Sequence, residues 1–190
     1  MIKREKKKVL YLHFNKESKL ILTDDFDITN KYVFRKDFEP NNIDLTKFDI
    51  IILGPGKSKF NPKASDILKY VPKLKNILAN KKCKILGLCY GLQLLCHYNN
   101  HTIEKLNSRH KTITTESIPN MKKTKVRFNH QFKCKLRENK KITMKKSKKI
   151  QNSQVPIFIK FTDNHYGIQF HFTNKHDRST LVHKIINGEI

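Results

Sequence analysis

The sequence has few cysteines and no long apolar stretch. No run approaches the roughly 18 to 20 apolar residues that a membrane-spanning helix needs, and the charged residues 1–8 lead into a short strand pattern rather than a signal-peptide core. The four cysteines form no C-x-x-C pair and have no interleaved histidines, so their spacing indicates neither a zinc site nor a disulfide framework. We therefore predict a cytoplasmic protein with reduced thiols, no metal, no cofactor and no membrane partner.

Acidic residues are also scarce, at 16 against 40 lysines and arginines, which gives a formal net charge of +24 at pH 7. Such an excess is typical of nucleic-acid binders. Nearly all of it is lysine spread along the chain, however, whereas bidentate readers of bases and phosphates are usually arginines. We interpret the charge as a solvated lysine surface that binds nucleic acid only non-specifically, with a dedicated nucleic-acid face as the alternative. The basic run at residues 145–149 is interpreted as a solvated turn, with a docking patch as its alternative.

The first half of the 190-residue chain alternates strand patterns with helical ones, and the second half is rich in short strand patterns. Strands are predicted at residues 8–14, 31–36, 48–53, 85–88, 112–115, 125–128, 141–144, 156–161 and 166–171. Helices are predicted at about residues 63–80, kinked at Pro72, at 90–98, and after an N-cap at Asp177 or Ser179 with Gly188 as the stop. This alternation favours one domain over residues 1–190, an α/β doubly wound, mostly parallel sheet with helices on both faces, a β-rich second half, and ligands at the carboxyl ends of the strands.

The segment Gly87-Leu88-Cys89-Tyr90-Gly91 places a cysteine between two glycines, where a strand pattern gives way to a helical one. G-x-C-x-G is the thiol counterpart of the nucleophile elbow, in which side chains at the glycine positions would collide with the neighbouring strand or helix. A thiol at a helix N-terminus is expected to have a pKa below its free value of about 8.5. From this segment alone, a catalytic nucleophile and a buried structural cysteine are equally acceptable interpretations.

Four separated motifs stand in the order and at the spacing of the class I (triad) glutamine amidotransferases, which the chain resembles over about residues 48–188. The motifs are Leu53-Gly54-Pro55-Gly56, the elbow through Gln93, Val126-Arg127-Phe128-Asn129-His130 and Tyr166-Gly167-Ile168-Gln169-Phe170-His171. The third is similar to a segment of the GMP synthetase amidotransferase domain, and the chain length matches the stand-alone subunits of that group. The resemblance implies the flavodoxin-like fold of this family.

The resemblance also implies a chemistry. Cys89 would attack the side-chain amide of glutamine while His171 moves the proton, and water would hydrolyse the resulting thioester after ammonia leaves. Backbone N–H groups of Gly56 and Tyr90 would hold the oxyanion. The residues matching the family's substrate-binding positions are Gln93, Asn129 and His130. The ammonia would pass to a separate ATP-dependent synthetase subunit, because no synthetase domain is present in this sequence.

One position departs from the family pattern. The family has a glutamate two residues after the catalytic histidine, whereas this chain has Thr173 there. Loss of the third member of a Ser-His-Asp triad costs on the order of 10⁴ in turnover, and the candidates to replace it are Thr173, Asp163 and Asp177. Two alternatives therefore remain open: a catalytically impaired amidotransferase-like binding protein, and a γ-glutamyl hydrolase of the same fold that works without a synthetase.

Overall fold

Ten strands and four helices make up the part of the chain that the structure describes. A computed structural model describes residues 5–16, 19–56, 66–138, 142–151 and 153–190, without the side chains of residues 66–69. The strands are β1 (Lys7–Phe14), β2 (Phe26–Tyr32), β3 (Ile50–Gly56), β4 (Lys84–Leu88), β5 (Thr102–Glu116), β6 (Thr124–Lys135), β7 (Met144–Ile150), β8 (Ser153–Lys160), β9 (His165–Ile168) and β10 (His171–Phe172). The helices are α1 (Asp66–Lys73), α2 (Lys75–Leu78), α3 (Tyr90–Tyr98) and α4 (Lys175–Ile186), with 3₁₀ turns at Pro40–Asn42 and Leu45–Lys47.

Seven of these strands form one sheet, in the order β2-β1-β3-β4-β9-β8-β7. The five strands from β2 to β9 run parallel, and β8 and β7 add an antiparallel edge. The strands β10, β6 and β5 form a second, antiparallel sheet. The predicted α/β fold with a mostly parallel sheet and a β-rich second half is confirmed.

Both faces of the large sheet are covered, because its central strands are apolar along their whole length. Residues 50–53 are completely buried, and their side chains alternate between two cores, as the two-residue period of a strand requires. One core packs α4 and the small sheet against the large sheet, and the other packs α1, α2 and α3 against the opposite face. The carboxyl ends of β3 and β4 therefore lie between two packed layers. In the described part of the chain, no helix is long and apolar enough to cross a membrane.

The second strand is displaced from its predicted position. The prediction was residues 31–36, but β2 is Phe26–Tyr32, and the chain turns from Val33 onward. The position of β2 is set by its parallel register with β1, in which Phe26 pairs with Lys7 and is buried. Val33 is also buried, but it lies in the turn that follows the strand. Local apolarity alone could not show this pairing.

The basic run at residues 145–149 is part of strand β7, so the prediction of a solvated turn is wrong. β7 is the outer strand of the large sheet, where lysines discourage pairing with another chain. Lys148 also forms an ion pair with Glu116 of the small sheet. The strand predicted over 141–144 accordingly begins only at Met144.

The helices differ from prediction at their ends. The helix predicted over residues 63–80 is divided at Leu74 into α1 and α2, two residues after Pro72, which removes a backbone donor; its predicted start at 63–65 lies outside the described residues. The last helix has Asn174 as its N-cap, whose side chain accepts the backbone N–H of Asp177. Asp177 and Ser179 thus lie inside α4, and neither is the cap.

Cys96 and Cys134 form a disulfide, with an S–S distance of 2.16 Å and a Cα–Cα distance of 6.1 Å. The prediction of four reduced thiols is therefore wrong for this pair, while Cys83 and Cys89 are free. A separation of 38 residues carries no sequence signature. The two cysteines meet because helix α3, which carries Cys96, and strand β6, which carries Cys134, pack together in one core.

We predict that the denatured protein, without reductant, shows two titratable thiols. Reduction, or the substitution Cys96→Ala, should lower the free energy of unfolding by about 2–4 kcal/mol, because the bond restricts the unfolded chain. Thermal unfolding with and without dithiothreitol measures this. Cys83→Ala is the matched control and should keep the response to reductant. Four titratable thiols in the unreduced protein would contradict the disulfide.

Candidate active site

The elbow lies at the carboxyl end of β4, where the chain reverses into α3. Cys89 has φ 53° and ψ −94°, a conformation that residues other than glycine rarely adopt. Its N–H donates to the carbonyl of Ile168 at 2.7 Å, and its own carbonyl accepts the N–H of Gln93 at 3.2 Å. The strained turn is thus held from both sides, by β9 and by the first turn of the helix.

The glycines of the elbow and of the β3 loop allow close backbone contact. A Cβ at Gly87 would lie 2.4 Å from the carbonyl carbon and oxygen of Gly91, and a Cβ at Gly91 would lie 2.2 Å from the carbonyl oxygen of Leu53. The predicted crowding is confirmed. A Cβ at Gly56 would lie 2.8 Å from the ring of Tyr90. The structure therefore brings together the two residues predicted to hold the oxyanion.

The sulfur of Cys89 lies in a nearly closed site, with 8% of the residue exposed. The amide Nε2 of Gln169 lies 3.6 Å from Sγ. Burial raises the pKa of the Cys89 thiol to about 11 and outweighs the backbone N–H of Tyr90, the Gln169 amide and the charge of Arg109, which all act to lower it. The prediction of a lowered pKa is therefore wrong for the free protein, because desolvation exceeds the effect of the helix end.

This raised pKa predicts a pH dependence for modification of Cys89. Only the thiolate reacts, so the rate of alkylation by iodoacetamide should rise about tenfold per pH unit between about pH 7 and pH 9. Quenched time courses followed by mass spectrometry of the Cys89 peptide measure the rate. A rate that is flat across this interval would show an activated thiolate already present at neutral pH.

His171 begins β10 and pairs with Arg127 across the small sheet. Within the described residues, its ring forms no hydrogen bond with the sulfur of Cys89 or with any carboxylate. Burial lowers the pKa of His171 to about 4, and the charges of Arg178 and Arg127 act in the same direction. The ring is therefore neutral at pH 7 and is a weak base in the free protein.

Two candidates for the missing carboxylate are engaged elsewhere. The hydroxyl of Thr173 donates to the carbonyl of Lys125 at 2.9 Å. The carboxylate of Asp177 accepts a hydrogen bond from the side chain of Asn174 at 2.7 Å, at the start of α4. Neither forms a hydrogen bond with His171 among the side chains that the structure describes.

The third candidate lies at the wrong end of the sheet. Asp163 precedes β9, at the edge opposite the elbow, and forms an ion pair with Lys160 at 3.7 Å. The charged groups that act on the pKa of His171 are instead the guanidinium groups of Arg178 and Arg127. Among the described residues, the charges that act on His171 are therefore positive.

Gln93 lies in the helix that follows Cys89, and Asn129 lies in β6. Gln93 is buried in the first turn of α3, where its amide Nε2 donates to the carbonyl of Phe132 at 3.4 Å. Its Oε1 is buried and has no hydrogen-bond partner among the described atoms. Asn129 accepts a hydrogen bond from Nε of Arg109 through Oδ1, at 2.8 Å.

His130 faces the opposite side of β6 from Asn129, as strand alternation requires. It is 4% exposed, and its ring lies 5.5 Å from that of His110 and 5.6 Å from that of Phe128. Burial lowers its pKa to about 3, and neither ring nitrogen has a hydrogen-bond partner within the described part of the chain. The structure thus separates these two predicted substrate contacts.

The sequence analysis assigned no role to Gln169 or to the three arginines near the site. Gln169 could have been found, because it precedes His171 by two residues in a strand pattern and so faces the same side. The arginines carry a weaker signal, since only six of the 40 basic residues are arginine. They are Arg109, Arg127 and Arg178. Only the tertiary structure brings the charge of Arg109 to act on Cys89 and the charges of Arg127 and Arg178 to act on His171.

Comparisons with known proteins show the family and the fold of this chain. Residues 26–182 match the family model described as Glutamine amidotransferase class-I. A segment of 62 residues is 36% identical to GMP synthase [glutamine-hydrolyzing] of Wolbachia pipientis wMel, covering 31% of this chain but only 12% of that protein.

Solved structures with a similar fold include a putative GMP synthase subunit of Thermoplasma acidophilum, with a TM-score of 0.60 and 15% identity over 97% of this chain and 94% of that chain. A glutamine amidotransferase of Thermotoga maritima has a TM-score of 0.59 and 15% identity over 88% and 76% of the two chains. PurLQS of Thermotoga maritima has a TM-score of 0.65 and 12% identity over 97% and 100%. At these identities, the likeness shows the fold alone.

Proposed function

Because this chain belongs to the class I glutamine amidotransferases, we propose that it hydrolyses the side-chain amide of glutamine at Cys89 and passes the ammonia to a separate ATP-dependent synthetase of the GMP synthase type. The observation that carries this proposal is the elbow itself. Cys89 is held at φ 53° between the end of β4 and the start of α3, with Gly56 packed against Tyr90 beside it. In this proposal, the sulfur faces the amide carbon of the substrate and the backbone N–H donors face its oxygen.

In the proposed reaction, Sγ of Cys89 attacks the amide carbon and the backbone N–H groups of Tyr90 and Gly56 receive the oxyanion. His171 takes the thiol proton and returns it to the amide nitrogen, the C–N bond breaks to release ammonia, and water then releases glutamate from the thioester. In the free chain, the thiol pKa of about 11 stands far above the imidazole pKa of about 4, so proton transfer between them is strongly uphill. We therefore expect slow hydrolysis by the isolated chain and faster hydrolysis when a synthetase supplies negative charge near His171.

An electrophilic analogue of glutamine tests both the reactivity of the Cys89 thiol and the recognition of glutamine. Incubation with 6-diazo-5-oxo-L-norleucine should give one adduct, on the peptide that contains Cys89, and L-glutamine should protect against it. Cys83 is the internal control, because it is also a free thiol but is not part of the elbow. Its thiol donates a hydrogen bond to the carbonyl of Leu45 at 3.0 Å. No adduct at Cys89, with or without a GMP synthase-type synthetase, would contradict the proposal.

A second candidate, a non-catalytic glutamine-binding protein, is favoured by one observation: His171 lies among the charges of Arg127 and Arg178 and has no carboxylate partner among the described residues. The variant Thr173→Glu separates the two candidates, with Thr173→Gln as the neutral control. If only the carboxylate is missing, Thr173→Glu should raise glutaminase activity at least about tenfold, because an orienting carboxylate is worth up to about 10⁴ in a triad. Unchanged activity in both variants would favour the binding protein.

A further inference from the structure

A small cavity lies at the carboxyl ends of β3, β4 and β9, on the face of the large sheet that packs against α4. Its wall includes Pro55 and Leu88, which precede Gly56 and Cys89 in the chain, but it does not include Cys89 itself. The cavity volume is about 40 Å³, whereas one water molecule needs roughly 10–15 Å³. The cavity therefore has room for a ligand of about three or four heavy atoms, at the edge of the sheet where parallel α/β folds bind their ligands.

The polar side chains on the cavity wall carry no negative charge. They are Tyr11, Lys19, His171 and Arg178, and no described carboxylate lines the cavity. The guanidinium group of Arg178 donates from Nη1 to the carbonyl of Ile21 at 2.8 Å and from Nη2 to the carbonyl of Phe172 at 3.3 Å. These two contacts use two of the five N–H donors of the group. They hold the guanidinium group beside the backbone that carries the imidazole.

The positive charge at this cavity is not neutralised by the described residues. In that part of the chain, neither Arg178 nor Lys19 forms an ion pair. Burial lowers the pKa of Arg178, and it also lowers the pKa of His171, on which the charges of Arg178 and Arg127 act in the same direction. The titratable and charged groups around the imidazole are Tyr11, Lys19, Arg127, His130 and Arg178. Because a partly buried cation without a counter-ion is costly, an anion in the cavity would be stabilising.

We propose that this cavity binds a small carboxylate anion between Arg178 and His171, and that the bound anion makes the imidazole a stronger base for the reaction at Cys89. The inference rests on the proposed function. One ring nitrogen donates its hydrogen to the carboxylate, while the other takes the thiol proton and later returns it to the amide nitrogen. The carboxylate stabilises the imidazolium that forms in between and is itself unchanged. Arg178 is a positioning residue, because it holds the anion and not the substrate.

Formate, the smallest carboxylate, is the probe, and the NMR signal of the His171 imidazole in the free protein is the readout. The variant His171→Gln identifies this signal by its loss. Formate should shift the signal saturably at constant ionic strength, and it should raise the imidazole pKa from about 4 by at least about one pH unit, because a nearby negative charge favours the protonated ring. By linkage, formate should bind at least about twofold more tightly at pH 5 than at pH 7. Sodium chloride at the same concentration should leave the signal unchanged.

Two variants change the cavity in different ways. Arg178→Gln removes the guanidinium charge and should weaken formate binding at least about tenfold, as expected for loss of hydrogen bonds to a charged group. Leu20→Phe keeps every charge but fills space at the cavity wall, and it should also abolish the saturable shift. Arg137→Gln is the matched control, because Arg137 is an exposed arginine just beyond β6, and it should keep the affinity of the unmodified protein. Thermal unfolding shows whether each variant is folded.

The rate of glutamine hydrolysis connects the cavity to the chemistry. Formate should raise this rate at least about tenfold, with its half-maximal effect at the concentration that half-saturates the spectral shift. The absence of a saturable shift, or an equal shift in folded Arg178→Gln, would overturn the carboxylate site whatever the activity of the protein. A saturable shift with an unchanged rate would overturn the effect on the imidazole. A saturable shift without any Cys89-dependent hydrolysis, with or without a synthetase, would support the site and contradict the proposed function.

Discussion

Replacing Cys89 with alanine is expected to reduce glutamine hydrolysis by at least about 10³-fold, because a covalent mechanism loses its nucleophile with the sulfur. The substitution removes one atom from a site that is 8% exposed. The backbone conformation at φ 53° is no harder for alanine to adopt than for cysteine. The loss should therefore come from the chemistry, and the fold should remain. Release of glutamate and of ammonia, measured in parallel, reports it.

The assay should be run on the chain alone and with a GMP synthase-type synthetase, since slow hydrolysis is expected of the free chain. Cys83→Ala is the matched control, because Cys83 is the other free and buried thiol and is not part of the elbow. It should retain the activity of the unmodified protein. Hydrolysis that persists undiminished in Cys89→Ala would exclude Cys89 as the nucleophile.

The substitution Gly91→Ala is expected to lower the free energy of unfolding by about 3 kcal/mol or more. On an ordinary helix, this change would stabilise the protein by about 1 kcal/mol, because alanine is the better helix former. Here the new Cβ would lie 2.2 Å from the carbonyl oxygen and 2.7 Å from the Cβ of Leu53, which is completely buried in β3. Backbone cannot move aside as a flexible side chain can, so overpacking decides the sign.

Gly188→Ala provides the comparison. Gly188 follows α4 at φ +73°, and a Cβ there would meet no atom within 4 Å. Gly188→Ala should therefore lower the free energy of unfolding only by the backbone strain of a left-handed alanine, about 1–2 kcal/mol. Urea unfolding of both variants measures the difference. A Gly91→Ala protein as stable as the unmodified one would mean that α3 does not pack against β3 as closely as described.

The organisation of the site was predictable because its signals are local. Strand β4 (Lys84–Leu88), the strained Cys89 and the helix Tyr90–Tyr98 follow one another in sequence, and each constrains the next through backbone geometry. The same holds for the β3 strand ending in its glycine loop, and these elements place the elbow at the carboxyl edge of a parallel sheet. The prediction for strand β2 was displaced, because the bounds of this strand depend on its pairing with β1, which is not a local property.

The sequence by itself therefore determined the fold class, the elbow and the need for glycine at Gly87 and Gly91. The tertiary structure alone decided the state of the reactive groups. Burial sets the thiol pKa of Cys89 near 11, and arginines from β6 and α4 gather around His171 where no described carboxylate stands. The physical reason is the distance over which each effect acts. Backbone turns are dictated by residues adjacent in sequence, whereas the desolvation of a group and the charges around it depend on every element that packs against it.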